Sequence, residues 1–120
     1  MGLDQYINVD NVEDGKTETV EVVYWRKHNA MHNWFCKEAL ALGLVNDPDD
    51  FNCVNLPITQ NRLNRLIQTV KDGNLEPVGG FFFGNTDYDP KEAMEADLAD
   101  LAKVQEEITS GNEPYYTSWW

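Results

Sequence analysis

The hydrophobic pattern of this chain changes period several times, and each change marks an element. Leu3 to Val9 reads as a short strand. The polar stretch Asn8 to Gly15 reads as a turn, and its Asp14-Gly15 pair is a hairpin signal. Thr17 to Val23 alternates, with Thr17, Thr19, Glu21 and Val23 on one face and Glu18, Val20 and Val22 on the other, as a strand does. The period then lengthens. Met31, Trp34, Phe35, Glu38 and Leu42, with Ala39 alongside, predict a helix over about Arg26 to Leu42, and Gly43 is its stop. Asn46 to Asp50 is an acidic loop, and Cys53 to Pro57 is a candidate short strand. Leu63, Leu66, Ile67 and Val70 fall at i, i+3, i+4 and i+7, which predicts a second helix capped by Thr59 and ended by Gly73.

Val78 to Gly84 reads as a buried strand or tight loop. Its three adjacent phenylalanines cannot all face one side of a strand, so both sides should be covered. A third helix should follow a capping box of Asp89 and Glu92, with Pro90 at its first position. Its apolar stripe is Met94, Leu98, Leu101 and Ile108, its expected outer face carries Glu95, Asp97, Asp100, Glu106 and Glu107, and Gly111 ends it. The aromatic tail Glu113 to Trp120 should dock as a strand, because leaving its large rings in water would be costly. The sum is an α+β fold, with three helices packed on a small, mostly antiparallel sheet, and residues 1–120 form a single domain.

Composition narrows the classes. A chain of 120 residues with 42% hydrophobic content can build one core. No apolar run approaches the ~20 residues a membrane-spanning helix needs, and the first residues lack the basic and apolar regions of a secretory leader. Cys36 and Cys53 have neither CxxC nor zinc spacing and read as reduced thiols, so a cytoplasmic location is expected. The net charge of −12 is uneven: residues 22–71 hold four acids and six bases, +2, and the remainder seventeen acids and three bases, −14. Such a surface repels nucleic acid; it could meet a basic partner, but single-sign surfaces more commonly serve solubility or a salty setting.

The candidate chemistry centres on the run from Tyr24 to Phe35, which gathers two Trp, both His, two basic residues and two Asn. Trp25, Asn29, His32 and Cys36 advance by four, three and four residues, so on one continuous helix they share a stripe at the edge of the core. That stripe suits a pocket wall for a flat or anionic ligand, or ordinary boundary packing. His28 and His32 have i, i+4 spacing, but Asn29 stands where a zinc protease carries its glutamate base and no third His exists, so no metal site and no cofactor are expected. Ser118 lacks a nucleophile elbow, and Val78 to Gly84 lacks a phosphate-loop ending. Asp87 and Tyr88 lie in a strand-to-helix loop, where functional side chains are common.

These residues also carry a resemblance. The start Leu3, Asp4, Tyr6, the segment Tyr24, Trp25, Arg26, Lys27, Asn29, His32, Trp34, Phe35, the segment Gly80 to Gly84 with Thr86, Tyr88 and Asp89, and the end Tyr115, Tyr116, Ser118, Trp119 resemble a family of small uncharacterised phage and bacterial proteins along the whole chain. The resemblance implies a phage-type accessory protein in the host cell cytoplasm and brings no activity with it. Its polar and aromatic positions suggest that Trp25, Arg26, Asn29, His32, Asp87, Tyr88, Tyr116 and Trp119 meet around one ligand pocket.

Three functions remain open at this point. The first is binding, either of a basic host protein through an acidic surface that includes Glu95, Asp97 and Asp100, or of a nucleotide-like ligand stacked on Trp and paired with Arg26. The second is hydrolysis of a phosphoester or nucleotide, with His32 as general acid or base oriented by Asp87. The third is a virion or assembly component. Neither direct nucleic-acid binding nor membrane association is expected.

Overall fold

The computed structural model describes residues 2–75 and 90–120. The chain opens with a hairpin of β1 (Asp4–Glu13) and β2 (Lys16–Arg26). Glu13 pairs with Lys16, so the turn is the two residues Asp14 and Gly15, both at positive φ (53° and 76°), as a tight hairpin turn that follows the strand twist requires. The segment read as a polar turn is therefore mostly strand. Its distal half escapes the alternation rule because every residue from 10 to 21 is exposed, and a ribbon solvated on both faces has no apolar side to pattern.

Helix α1 (Asn29–Ala41) starts three residues later than its periodicity suggests. Strand β2 runs on to Arg26, and Lys27 at φ 57° turns the chain while its N–H donates to the Leu3 carbonyl, 2.8 Å. His28 then caps the helix, its imidazole accepting from the Met31 N–H. Gly43 at φ 72° follows the helix end, where a left-handed residue is needed. Leu42, expected in the apolar stripe, is 57% exposed. A single 3-10 turn, Pro48–Phe51, capped by Asp47, replaces part of the acidic loop and buries Phe51. Of the expected strand at Cys53 to Pro57 only β3 (Leu56–Pro57) forms.

Helix α2 (Gln60–Lys71) keeps the predicted cap, with Thr59 Oγ1 accepting from the Arg62 N–H at 3.1 Å, and buries Leu63, Leu66 and Val70. Helix α3 (Pro90–Thr109) starts at the proline expected at its first position. Val78 to Gly84 and the capping residue Asp89 lie outside the described residues. The tail becomes β4 (Tyr115–Trp119), inserted between β1 and β3 in an antiparallel sheet of order β2-β1-β4-β3.

The fold is α+β: three helices pack on this four-stranded antiparallel sheet. Strand alternation divides the sheet into two faces. Ile7, Val23, Trp25, Leu56 and Tyr116 turn inward and join Met31, Phe35, Leu63, Leu66, Leu101 and Val104 from the helices in one core. The side chains between them turn outward, away from the helices. No helix of the described residues is long and apolar enough to cross a membrane.

Candidate functional site

Beneath the sheet lies a buried polar network built from residues the sequence had singled out. It begins with a residue it had not. Gln5 is fully buried on β1, flanked in the inward series by Leu3 and Ile7. Its side-chain amide acts as a piece of backbone at the β2–α1 junction: Oε1 accepts from the His28 N–H at 2.8 Å, and Nε2 donates to the His28 carbonyl at 3.1 Å. Nε2 donates also to the Tyr116 hydroxyl, 3.1 Å away, and that hydroxyl lies 2.8 Å from His32 Nδ1. Phe35 stacks on the Tyr116 ring at 4.1 Å between centroids. Burial pushes the Tyr116 hydroxyl well above the ordinary phenol range. Burial likewise lowers His32 from 6.5 to about 4, so at neutral pH the imidazole is uncharged.

Helix α3 is tied to the same junction by two carboxylates. Asp97 receives His28 Nε2 at 2.9 Å, and Asp100 Oδ2 accepts from the Trp25 indole N–H at 2.9 Å. This corrects the acidic outer face expected on α3. Glu95 is exposed, but Asp97 is 6% exposed and Asp100 is half-buried. Asp97 lies three residues after Met94 and four before Leu101, inside the apolar stripe; its position placed it inward although its charge suggested otherwise.

Of the eight residues expected to form one pocket, the six among the described residues do not all meet. Trp25, Asn29, His32 and Tyr116 are all buried inside the domain, and His32 meets Tyr116 there. Trp25 enters the core from β2, not along a helical stripe, and the two histidines diverge, His28 to Asp97 and His32 to Tyr116. Arg26, next to Trp25 on a strand, points to the opposite face, and Trp119 does the same relative to Ser118. Asp87 and Tyr88 lie outside the described residues. A general base must reach the proton it removes. His32 is 4% exposed and walled by Phe51, Tyr116 and Trp120, with centroids 5.5, 6.1 and 4.9 Å away.

The outer face of the sheet holds a second constellation. Register places Arg26, Asp4 and Trp119 in one row across β2, β1 and β4, and Tyr24, Tyr6 and Thr117 in the next. Tyr24 donates its hydroxyl to Asp4 Oδ1 at 2.7 Å, and the Tyr6 and Tyr24 rings lie 5.2 Å apart. One row further, Asn8 pairs with Tyr115, whose hydroxyl donates to Asp10 at 2.9 Å. The Asp4 carboxylate beside Tyr24 pushes that phenol upward. Trp119 is 61% exposed and Tyr24 46%. At the end of this face an open groove of about 590 Å³ runs past Asp10, Pro57, Ile58, Gln60, Ile108 and Tyr115.

Sequence reasoning missed Gln5, and it named Asp4, Tyr6 and Tyr24 only as positions of the resemblance or of the polar-aromatic run, outside the candidate pocket. Gln5 had a signal, a polar residue between Leu3 and Ile7 at inward spacing. Tyr6, Tyr24, Tyr115 and Trp119 had one in standing a single position from inward residues of their strands, but only the strand register reveals that they share a face. Set against known proteins, the chain matches no family model, no curated sequence and no solved structure.

Proposed function

We propose that this protein works by binding, without turnover, and that it captures a basic protein partner on its acidic surface. One observation carries the reading. The hairpin ribbon of residues 10–21 is exposed throughout and holds five carboxylates, Asp10, Glu13, Asp14, Glu18 and Glu21, against one Lys16. A solvated, projecting strand pair that adds nothing to the core is shaped for contact, and its charge favours a cation-rich surface and speeds encounter with it. Glu92, Glu95 and Glu106 add exposed charge of the same sign on α3.

The burial of Trp25, His32 and Tyr116 supports this reading over a nucleotide pocket or a histidine-based hydrolase, since a ligand would have to displace core side chains to reach them. In the setting suggested by the sequence resemblance, the partner is a host protein and the place is the host cytoplasm. The test is fluorescence anisotropy with a labelled lysine- and arginine-containing peptide across salt concentration. Replacing Glu13, Glu18 and Glu21 together by Gln should weaken binding and flatten its salt dependence. Binding that is absent at low salt, or indifferent to that triple variant, refutes the proposal.

A further inference from the structure

We propose that the outer sheet face is the place where the partner's cationic side chains are gripped, with Trp119, Tyr24 and Tyr6 as the aromatic walls and Asp4 as the counter-charge. The inference rests on the binding function proposed above and adds the site and the chemistry of the contact. An acidic ribbon attracts any polycation; the outer face can distinguish one.

The argument is geometric. β1 brings Asp4 and Tyr6 up two residues apart on one side of the sheet, β2 places Tyr24 beside Tyr6, and β4 places Trp119 beside Asp4. The carboxylate thus stands at the junction of a tyrosine pair and a largely exposed indole. An ammonium or guanidinium is attracted to an indole or phenol face through the ring quadrupole, and a nearby carboxylate strengthens the same preference. Large aromatics left in water are costly unless something covers them, and strand alternation leaves Trp119 outside while Tyr116 and Ser118 of the same strand point inward.

Charge chooses the occupant. The face itself holds Asp4, Asp10 and Glu21 against Arg26, and the whole chain carries −12. An RNA strand, which would also stack on a sheet of aromatic residues, is repelled by that field. A second copy of this chain would bring the same charge and is disfavoured for the same reason. A lysine- or arginine-bearing segment satisfies both the rings and the carboxylates.

The experiment uses the full chain and a labelled peptide of alternating glycine with arginine and lysine, compared with one in which citrulline and acetyl-lysine remove the charge at nearly constant shape. Binding is followed by anisotropy at several salt concentrations, and folding of each variant is checked by circular dichroism. Trp119→Ala and Tyr24→Ala should each weaken the charged peptide by about 2- to 5-fold with the salt slope unchanged, because an exposed cation–π contact has that strength and releases no counterion. Asp4→Asn should weaken it and lower the slope. The triple Gln variant of the ribbon should lower the slope while keeping the sensitivity to Trp119→Ala. Wild-type affinity in folded Trp119→Ala and Tyr24→Ala, beside a weakened ribbon variant, overturns this site and leaves the binding function standing. Equal affinity for the uncharged peptide overturns the cationic assignment, and so does a wild-type dimer in light scattering that Trp119→Ala dissociates. No binding of the charged peptide by the wild type overturns both proposals.

Discussion

Gln5→Leu should unfold this protein far more readily than its conservative volume suggests. Gln5 is fully buried and makes three hydrogen bonds, two to the backbone of His28 and one to the Tyr116 hydroxyl. Leucine fills the space and removes all three. Two of the partners keep other contacts: the His28 carbonyl also accepts from the His32 N–H at 3.1 Å, and the Tyr116 hydroxyl stays beside His32. The His28 N–H loses the Gln5 acceptor. Three lost bonds at about 1 kcal/mol each, with up to ~2 kcal/mol more for a donor left without its acceptor, give a cost of about 3 to 5 kcal/mol. With an unfolding entropy of about 2.1 cal/mol/K per residue, the chain should melt about 12 to 20 °C lower. Urea denaturation followed by tryptophan fluorescence measures the difference, with Gln68→Leu on the exposed side of α2 as a control that should change stability by under about 0.5 kcal/mol. If Gln5→Leu costs less than about 1 kcal/mol, the amide does not hold the β2–α1 junction and the reasoning fails.

Further outcomes follow from the same network. Because burial lowers His32 from 6.5 to about 4, the unfolded chain takes up the proton first: stability is complete above pH 6.5 and is lost as pH falls toward 4, by about 2 kcal/mol at pH 5. His32→Gln should lack that component in urea titrations at pH 7.5 and 5, and an identical pH loss in variant and wild type would contradict it. A double-mutant cycle replacing His28 and Asp97 by Ala should show a coupling of about 1 to 2 kcal/mol, since the pair is mostly shielded from water, whereas additive effects would mean α3 is held by packing alone. Glu38 accepts from Arg65 and Arg62, which hold its carboxyl below the usual glutamate range, so Glu38→Gln should cost about 1 to 2 kcal/mol at neutral pH. That stability is present above pH ~4.5 and vanishes as the carboxylate protonates; denaturation midpoints at pH 7 and pH 3 compare the two.

Each of these residues was readable to a different depth. The second helix was fully legible, because its cap, its stripe and its stop are local features that need no partner. The hairpin turn was legible for the same reason, and the docking of the tail followed from the cost of exposed rings. The end of β2 was not: a polar and aromatic run from Tyr24 onward fits a helix as well as a strand, and a single left-handed residue, Lys27, decides between them. Glu38 sat in the apolar stripe of α1 without explanation until α2 supplied Arg62 and Arg65. The distal hairpin was read as loop because a ribbon wet on both sides carries no hydrophobic alternation.

The sequence by itself determined the class of fold, the number of helices, most caps and turns, and the surplus of negative charge, since these depend on short-range periodicity, backbone preference and composition. The tertiary structure alone decided which chemistry is accessible. Strand alternation is a two-residue period, so Trp25 and Arg26, neighbours in the chain, end on opposite sides of a sheet, one sealed under α3 and the other in water. The same rule carries Tyr116 into the core and leaves Trp119 outside beside Asp4. Whether a tryptophan, a histidine or an aspartate serves packing or recognition is fixed by the register that pairs one strand with another, and that register joins residues more than a hundred positions apart in the chain.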